Sequence, residues 1–345
     1  MADNEKILVT GASGFVGKWV VLELLKAGYG VRGTVRSEAK AEQVRDTIGK
    51  ELGSNALRRL ETAECDLLTD TGWSGAMEGV SAIMHVAAQI VANEPKDPDI
   101  VIRPALEGTR RVLRYALAGG VRRIVITSSI ATVGYGHGHV SGKRVYTEEH
   151  FTNLEAMRWT WAYCIGKTRA EHAAWEMAGA TGLKVTTLHP GAILGPALDA
   201  DVSISLGLVS GLMDGSTPAL PKNGFALTDV RDLAEMHVAA LRAPEAAGQR
   251  YLVTTRYVPF PEVAEILRAA YPGAQVTLRT VPDWLIRLMV YFNSPLRQII
   301  NDIGNEKHYD ARKGEALLGR PFRSPEEATL SAAESLIRLG LLKVS

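Results

Sequence analysis

The sequence predicts an α/β protein built on a parallel, doubly wound sheet. Short apolar runs rich in β-branched residues alternate with longer, helix-like segments through the first half of the chain. The runs cover residues 7–9, 31–35, 82–86, 124–126 and 185–188. The intervals between them suit crossover helices, and right-handed crossovers place helices on both faces of the sheet.

The regular alternation stops after Leu188. The next segment is broken into short pieces by Pro190, Pro196, Pro218 and Pro221. An amphipathic helix at 229–241 and a strand at 250–253 then return the chain to the sheet. We therefore expect a second, smaller, discontinuous lobe. The larger domain would comprise residues 1–188 and 226–253, and the smaller lobe with the C-terminal helices residues 189–225 and 254–345.

The composition is that of a globular protein, with 345 residues, 46% hydrophobic and 22% charged. Lys plus Arg (39) nearly equals Asp plus Glu (38), so we expect neither nucleic acid nor a membrane surface as a partner. We see no leader and no apolar run of about 18 residues. Two cysteines are too few for a disulfide framework. These observations predict a cytoplasmic protein that acts on a small molecule.

A glycine-rich turn follows the first apolar run. Gly11, Gly14 and Gly17 stand between the strand at 7–9 and a helical stretch, which is the setting that dinucleotide binding requires. Glycines let the backbone approach a pyrophosphate, and the N–H groups of the first helical turn point at it. We expect the cofactor to contact this turn, while a purely structural turn is the alternative. The residues concerned are Gly11, Ser13, Gly14, Phe15, Val16 and Gly17.

The second strand ends at Arg36, where NAD-binding proteins of this kind carry an acidic residue for the ribose hydroxyls. A guanidinium suits a 2′-phosphate instead, with Lys40 and Arg32 as helpers. This favours NADP(H), unless Arg36 and Lys40 are only solvated charges. Asp66, after the third strand, is a candidate acceptor for the adenine amino group.

Tyr163 and Lys167 are four residues apart in a helical stretch and share one face. A nearby ammonium lowers the pKa of a phenol and suits it to general acid-base chemistry. Tyr309 and Lys313 have the same spacing, so position must distinguish the pairs. Only Tyr163 belongs to the nucleotide-binding half.

Ser129 lies 34 residues before Tyr163, just after the apolar run at 124–126. The carboxyl ends of parallel strands are where open α/β sheets bind ligands. Ser129 would hydrogen-bond a substrate carbonyl while Tyr163 protonates its oxygen and Lys167 also holds the nicotinamide ribose. Ser128 or Thr127 are alternatives for Ser129.

The segment after Ser129 is a candidate pocket loop. We expect the substrate to be lined by Ile130, Ala131, Tyr135, His137 and Leu194. His137, His139 and His150 have glycine-rich spacing that fixes no ligand geometry, so we expect no metal. Cys164 should be a small packing residue that points away from Tyr163.

The glycine turn, the Ser129/Tyr163/Lys167 set and the discontinuous lobe together resemble the extended short-chain dehydrogenase/reductase family. Four segments are similar to its dihydroflavonol reductase, cinnamoyl-CoA reductase and yeast aldehyde or ketone reductase branch: Val31-Arg32-Gly33-Thr34-Val35-Arg36, His85-Val86-Ala87-Ala88, Thr127-Ser128-Ser129 and Tyr163-Cys164-Ile165-Gly166-Lys167. The resemblance implies a Rossmann domain that binds NADPH. Beyond the glycine turn, the implied cofactor contacts are Arg36, Lys40, Asp66, Leu67, Ala87, Ala88, Thr127, Tyr163, Lys167 and Pro190.

The chain also departs from these relatives. Their second basic residue would fall at Glu42 or Gln43, and their Asn-Trp pair before the tyrosine is Trp161-Ala162 here. Ser129-Ile130 replaces the Asp-Glu of sugar-nucleotide dehydratases. The sequence thus predicts an NADPH-dependent carbonyl reductase, as a monomer or homodimer. The alternatives are an NAD(P)-dependent epimerase or hydroxysteroid-type dehydrogenase, and a non-catalytic NADP(H)-sensing protein.

Overall fold

The computed structural model describes residues 5–89, 91, 93–138, 142–157, 159, 161–292, 296–297 and 299–343. Its strands are β1 (Lys6–Thr10), β2 (Gly30–Val35), β3 (Leu60–Glu64), β4 (Val80–His85), β5 (Arg123–Thr127), β6 (Gly142–Tyr146), β7 (Lys184–Pro190), β8 (Ala192–Leu194), β9 (Leu220–Pro221), β10 (Gly224–Asp229), β11 (Arg250–Val253), β12 (Tyr257–Pro259), β13 (Thr280–Val281) and β14 (Asn305–Tyr309).

The helices are α1 (Phe15–Lys26), α2 (Glu38–Leu52), α3 (Ser54–Leu57), α4 (Trp73–Met77), α5 (Asp99–Ala118), α6 (Ala162–Thr181), α7 (Ile204–Met213), α8 (Val230–Arg242), α9 (Phe260–Ala270), α10 (Asp283–Met289), α11 (Arg312–Leu318) and α12 (Pro325–Arg338). Two single turns of 3-10 helix cover Ile130–Thr132 and Pro244–Ala246. None of the helices among the described residues is long and apolar enough to cross a membrane.

Seven strands form the central sheet, in the order β11-β7-β5-β4-β1-β2-β3, and every neighbouring pair is parallel. The predicted parallel, doubly wound sheet is confirmed. From β1 the chain adds β2 and β3 on one side of the sheet, and then β4, β5, β7 and β11 on the other side. The strand order therefore reverses between β1 and β4, and such folds bind ligands at this switch point, at the carboxyl ends of the strands. The glycine turn follows β1 at this point.

Side chains of β1 alternate between the two faces of the sheet. Ile7 and Val9 pack in one cluster of buried residues with α1 and α8, whereas Leu8 packs in another with α5 and α6. All three are fully buried. A strand covered on both faces reads as a continuous apolar run, which is why the sequence reveals it.

Three small sheets lie outside the central one: β12-β10-β8, β13-β9 and β14-β6. The pairing of β6 with β14 is parallel and sets Gly142 opposite Asn305 and Tyr146 opposite Tyr309. It therefore brings the loop after Ser129 against the C-terminal third of the chain. The predicted boundary between the two lobes stays a prediction, although β11 does take its place beside β7.

Candidate active site

The glycine turn is too tight for any other residue at two of its positions. Gly11 has φ +69°, and a Cβ there would lie 2.9 Å from the Cα of Ala87. A Cβ on Gly17 would lie 2.1 Å from the Gly11 carbonyl oxygen. Gly14 caps α1 without a side-chain hydrogen bond, so the N–H groups of the first turn face outward. Gly33 is a third close contact that the sequence analysis missed, since its Cβ would lie 2.6 Å from that of Ala12.

Hydrogen bonds join the residues after β4 to the last residue of β1, just before the glycine turn. Thr10 Oγ1 accepts hydrogen bonds from the backbone N–H groups of Val86 (3.1 Å) and Ala87 (3.0 Å). Ala87 and Ala88 then line a small cavity together with Thr127 and Lys167. Residues expected to hold the nicotinamide end of the cofactor therefore lie together.

Arg36 is exposed after β2, and among the described residues it has no ion-pair partner. Lys40 is already paired, because its Nζ lies 2.5 Å from Asp201 and 3.0 Å from the Gln43 side-chain oxygen. Arg32 donates to Glu61 and to the carbonyls of residues 75, 76 and 78. The expected helper role of Arg32 is therefore wrong, and Arg36 is the cation with free donors.

Asp66 and Leu67 lie beyond β3. One Asp66 carboxylate oxygen accepts the N–H of Leu68 at 2.7 Å, which leaves the other oxygen available to an adenine amino group. Leu67 packs against Gly108 of α5, because a Cβ added to this glycine would lie only 2.9 Å from the Cβ of Leu67. Pro190 is buried at the end of β7, beside Val253 of β11.

The three predicted catalytic side chains meet where α6 begins. Tyr163 and Lys167 are partly exposed on α6, and Lys167 Nζ donates to the Thr127 carbonyl at 2.8 Å. Burial raises the pKa of Tyr163, while a hydrogen bond with the Ser129 side chain lowers it, and the net shift is upward. The expected lowering of this pKa is therefore wrong as a net shift, because burial outweighs the effects that favour the phenolate.

Lys167 itself titrates unusually. Burial lowers the pKa of its ammonium from 10.5 to about 8, and the carboxylate of Glu171 acts in the opposite direction. Glu171 follows one helical turn later on α6. At neutral pH Lys167 is therefore mostly charged.

Of the three consecutive hydroxyl residues at the carboxyl end of β5, only Ser129 is placed beside Tyr163. Thr127 Oγ1 lies 2.8 Å from His237 Nε2, and Ser128 Oγ donates to Glu171 Oε2 at 2.9 Å. Ser129 Oγ accepts the N–H of Ala131 at 3.1 Å, so its own proton is free to donate. The alternatives Ser128 and Thr127 are thus bound elsewhere.

A buried ionic network that the sequence analysis missed lies behind Ser129. Glu171 Oε1 accepts from Arg250 Nε at 2.8 Å and lies 3.4 Å from His189 Nε2. His189 Nδ1 in turn lies 3.1 Å from the carbonyl oxygen of Ser129. Burial lowers the pKa of His189 to about 4, so the imidazole is neutral at pH 7. The network fixes the backbone that presents Ser129. The signal for it in the sequence is the spacing of four residues between Lys167 and Glu171, which places both side chains on one face of α6.

The expected substrate-lining residues fall into three groups. Ala131 and Leu194 are 1% and 0% exposed, so their expected place in a pocket lining is wrong. Ile130 is half-buried in the 3-10 turn. Tyr135 and His137 line a cavity of about 430 Å³, while His139 lies outside the described residues. The distinction arises because neighbourhood in sequence does not tell which way a side chain points.

An aromatic wall connects this cavity with Tyr163. The ring of Trp161 lies 5.5 Å from that of Tyr163 and 5.1 Å from that of Tyr135, between centroids. Cys164 points away from the site, with Sγ 3.2 Å from the Ala131 carbonyl oxygen, and burial raises its pKa to about 12. It is the packing residue that was predicted.

The competing Tyr309/Lys313 pair does not form a site. Tyr309 lies in β14 and stacks on Tyr146 at 5.6 Å, whereas Lys313 lies in α11 and donates to Gln249 at 2.7 Å. The two residues therefore do not share one helical face.

Known proteins resemble the chain along most of its length. The model of the NAD dependent epimerase/dehydratase family matches residues 7–254. Cinnamoyl-CoA reductase 2 of Arabidopsis thaliana is 33% identical over 276 residues, which are 79% of this chain and 79% of that protein. Dihydroflavonol 4-reductase of Zea mays is 35% identical over 290 residues, which are 81% and 78% of the two chains.

The fold is also found among solved structures. The yeast methylglyoxal/isovaleraldehyde reductase Gre2, complexed with NADPH, matches with a TM-score of 0.78 over 97% of this chain and 99% of that one, at 23% identity. With the family match and the relatives above 30% identity, the assignment is clear. The chain belongs to the NAD dependent epimerase/dehydratase family, the extended short-chain dehydrogenases/reductases.

Proposed function

We propose that the protein is an NADPH-dependent carbonyl reductase that converts a ketone or an aldehyde reversibly into an alcohol. The observation that carries the proposal is the place of Ser129 beside Tyr163, where the Ser129 side chain lowers the pKa of the phenol, together with Lys167 anchored on Thr127. The reductase names of relatives at 33% and 35% identity support the same reaction type.

The residues around the switch point of the sheet suit NADP(H). The cradle between Gly11 and Gly17 has no room for a Cβ, and outward N–H groups at the start of α1 suit a pyrophosphate. Arg36 offers a free guanidinium where a 2′-phosphate would lie. The NADPH bound to the yeast neighbour is in keeping with this preference.

The cofactor supplies the hydride that adds to the carbonyl carbon. Ser129 and Tyr163 donate hydrogen bonds to the carbonyl oxygen and so stabilise the negative charge that develops there. Tyr163 then gives its proton to this oxygen, and the alcohol leaves. The raised pKa of Tyr163 keeps the phenol protonated at neutral pH, which is the form that reduction needs.

Lys167 acts on the step that follows. Its charge stabilises the Tyr163 phenolate left after proton transfer, and its position beside Thr127 suits a contact with the nicotinamide ribose. The buried network of Glu171 and Arg250 holds β5, α6 and the loop after Ser129 in register. These residues position the site and do not touch the substrate.

The test is a substrate panel of aryl ketones, β-keto esters and aldehydes, each with NADPH and with NADH. We expect oxidation of NADPH with at least one class and weaker turnover with NADH. Turnover with NADH alone would contradict the cofactor assignment and favour an NAD-type epimerase or hydroxysteroid dehydrogenase. Tight NADPH binding without turnover of any carbonyl would favour a sensor.

A further inference from the structure

The residue that precedes α6 does not cap this helix. Trp161 has an extended backbone, with φ −132° and ψ 99°, and its side chain makes no capping hydrogen bond. The first turn of α6 also contains no acidic residue. The N–H groups of a first helical turn have no partner within the helix, so buried ones need an acceptor from elsewhere. Ala162 is fully buried, and its N–H is such a group.

Glu94 supplies this acceptor from another part of the chain. Its Oε1 accepts the N–H of Ala162 at 2.8 Å, although the two residues are 68 positions apart. Glu94 is half-buried in the loop between β4 and α5. A carboxylate at the N-terminus of a helix also interacts favourably with the helix dipole. Glu94 therefore caps the helix that carries Tyr163 and Lys167.

The same loop packs against the start of α6. Val91 and Tyr163 both lie against a small apolar cluster of α5 and α6 that includes Ala162. The loop begins just beyond Ala88, which lines a small cavity together with Lys167. One short loop thus joins the segment that is expected to hold the nicotinamide to the start of the helix that carries the proposed proton donor.

Tyr163 directly follows the capped N–H group. Farther along α6, Gly166 packs against α5, where an added Cβ would lie only 3.2 Å from atoms of that helix. Lys167 is held one residue later by the Thr127 carbonyl. The first turn lies ahead of both contacts, and the hydrogen bond to Glu94 holds it. The place of the Tyr163 ring therefore depends on this cap.

The Glu94 carboxylate is partly withdrawn from water. Burial raises its pKa, the hydrogen bond from Ala162 and the charge of Arg297 lower it, and the net shift is upward. Arg297 belongs to the C-terminal third of the chain. The environment of Glu94 therefore differs from that of a solvated surface charge, and it involves three separate parts of the sequence.

We propose that Glu94 is a positioning residue for Tyr163. By capping α6 from the loop after β4, its side chain fixes the phenol relative to the segment that is expected to hold the nicotinamide. Glu94 acts through Tyr163 and is not itself a proton donor in the reaction. The inference rests on the proposed reductase function, because it concerns the proton donor of that reaction.

Glu94→Ala and Glu94→Gln test the proposal in the full-length protein, with NADPH and the best carbonyl substrate of the panel. The alanine removes the acceptor, so we expect kcat to fall about tenfold to a hundredfold while the affinity for NADP⁺ is kept. The glutamine offers an amide oxygen at the same place and should restore most of kcat.

Ser324→Ala is the matched control for the loss of a helix cap. Ser324 Oγ accepts the N–H of Glu327 at 3.1 Å and so caps α12. Like Glu94→Ala, this substitution should lower the midpoint of thermal unfolding. It should leave kcat unchanged, because α12 carries none of the proposed catalytic residues.

Two further measurements separate positioning from general stability. In a Tyr163→Phe background the phenol is already absent, so adding Glu94→Ala should change kcat by less than about twofold. Hydrogen exchange of the amides at the start of α6 needs no substrate. It should become faster in Glu94→Ala and stay as in the wild type in Glu94→Gln.

The outcomes distinguish this inference from the proposed function. Absence of carbonyl turnover in the wild type would contradict the proposed function, while hydrogen exchange would still decide whether Glu94 holds the start of α6. The positioning role is overturned if exchange there is equal in all three proteins or if Glu94→Ala keeps the wild-type kcat. It is also overturned if Glu94→Gln loses as much kcat as Glu94→Ala, or if Glu94→Ala has the same effect with and without the Tyr163 hydroxyl.

Discussion

Glu171 lies one helical turn after Lys167 on α6, and its buried carboxylate opposes the effect of burial on the Lys167 ammonium. Burial is the stronger of the two, so the pKa of Lys167 falls to about 8. The same carboxylate binds Arg250 and Ser128. One buried acid thus connects the charge of Lys167 with the backbone that presents Ser129.

The pH dependence of carbonyl reduction follows from this lysine. Lys167 is protonated below its pKa and neutral above it, so we expect kcat/KM to be level below about pH 8 and to fall as pH rises through it. Initial rates across that range, with NADPH saturating, measure the effect. A rate that stays level up to the ordinary lysine pKa of 10.5 would contradict the account.

Glu171→Gln should destabilise the fold. It leaves the buried guanidinium of Arg250 without its carboxylate, and breaking such a pair costs about 3–5 kcal/mol. The free energy of unfolding in urea measures the loss. Glu38→Gln is the matched control, because the Glu38 and Arg45 pair is exposed and such pairs contribute about 0–1 kcal/mol. Equal effects of the two substitutions would contradict the role of the network.

Arg36→Gln tests the 2′-phosphate assignment. We expect the affinity for NADP⁺ to fall about 10-fold to 100-fold, since hydrogen bonds to charged groups contribute about 1.5–3 kcal/mol, while the affinity for NAD⁺ stays the same. Fluorescence titration with both cofactors measures the two constants. An equal loss for NAD⁺ would show that Arg36 does not distinguish the cofactors.

Asp201→Asn should have the opposite effect. It releases Lys40, so that both Lys40 and Arg36 face a 2′-phosphate, and we expect a gain of a few fold in NADP⁺ affinity because the pair is exposed. Asp199→Asn is the contrasting variant: Asp199 binds the buried Lys18, so it should lower the unfolding midpoint instead. Unchanged or weaker NADP⁺ binding in Asp201→Asn would count against Lys40 as a cofactor contact.

The fold was predictable because its strands are covered on both faces and leave uninterrupted apolar runs. β3 is the exception, since Leu60–Glu64 is an edge strand with one neighbour and contains two glutamates. The proximity of the proposed catalytic residues was predictable for a local reason. Tyr163 and Lys167 share one helix, and Ser129 follows the strand whose end such sheets use.

Contacts between distant parts of the chain were not predictable. Asp199 and Lys18 form a hydrogen bond although they are 181 residues apart in the sequence, and Tyr135 and Asp302 form one although they are 167 residues apart. These contacts depend on loops and on small sheets such as the one formed by β6 and β14. No single segment of the sequence has a pattern that predicts them. The same limit explains the wrong expectation about the Tyr163 pKa, since spacing along a helix does not reveal that burial of the phenol outweighs the effects that lower its pKa.

The most direct test of the central claim is turnover of NADPH and a carbonyl substrate by Tyr163→Phe. Removing one hydroxyl deletes the proton donor and leaves the ring that packs on Trp161. We predict that kcat falls about 10²-fold to 10⁴-fold while the affinity for NADP⁺ is kept. A Tyr163→Phe variant with wild-type kcat would contradict the account.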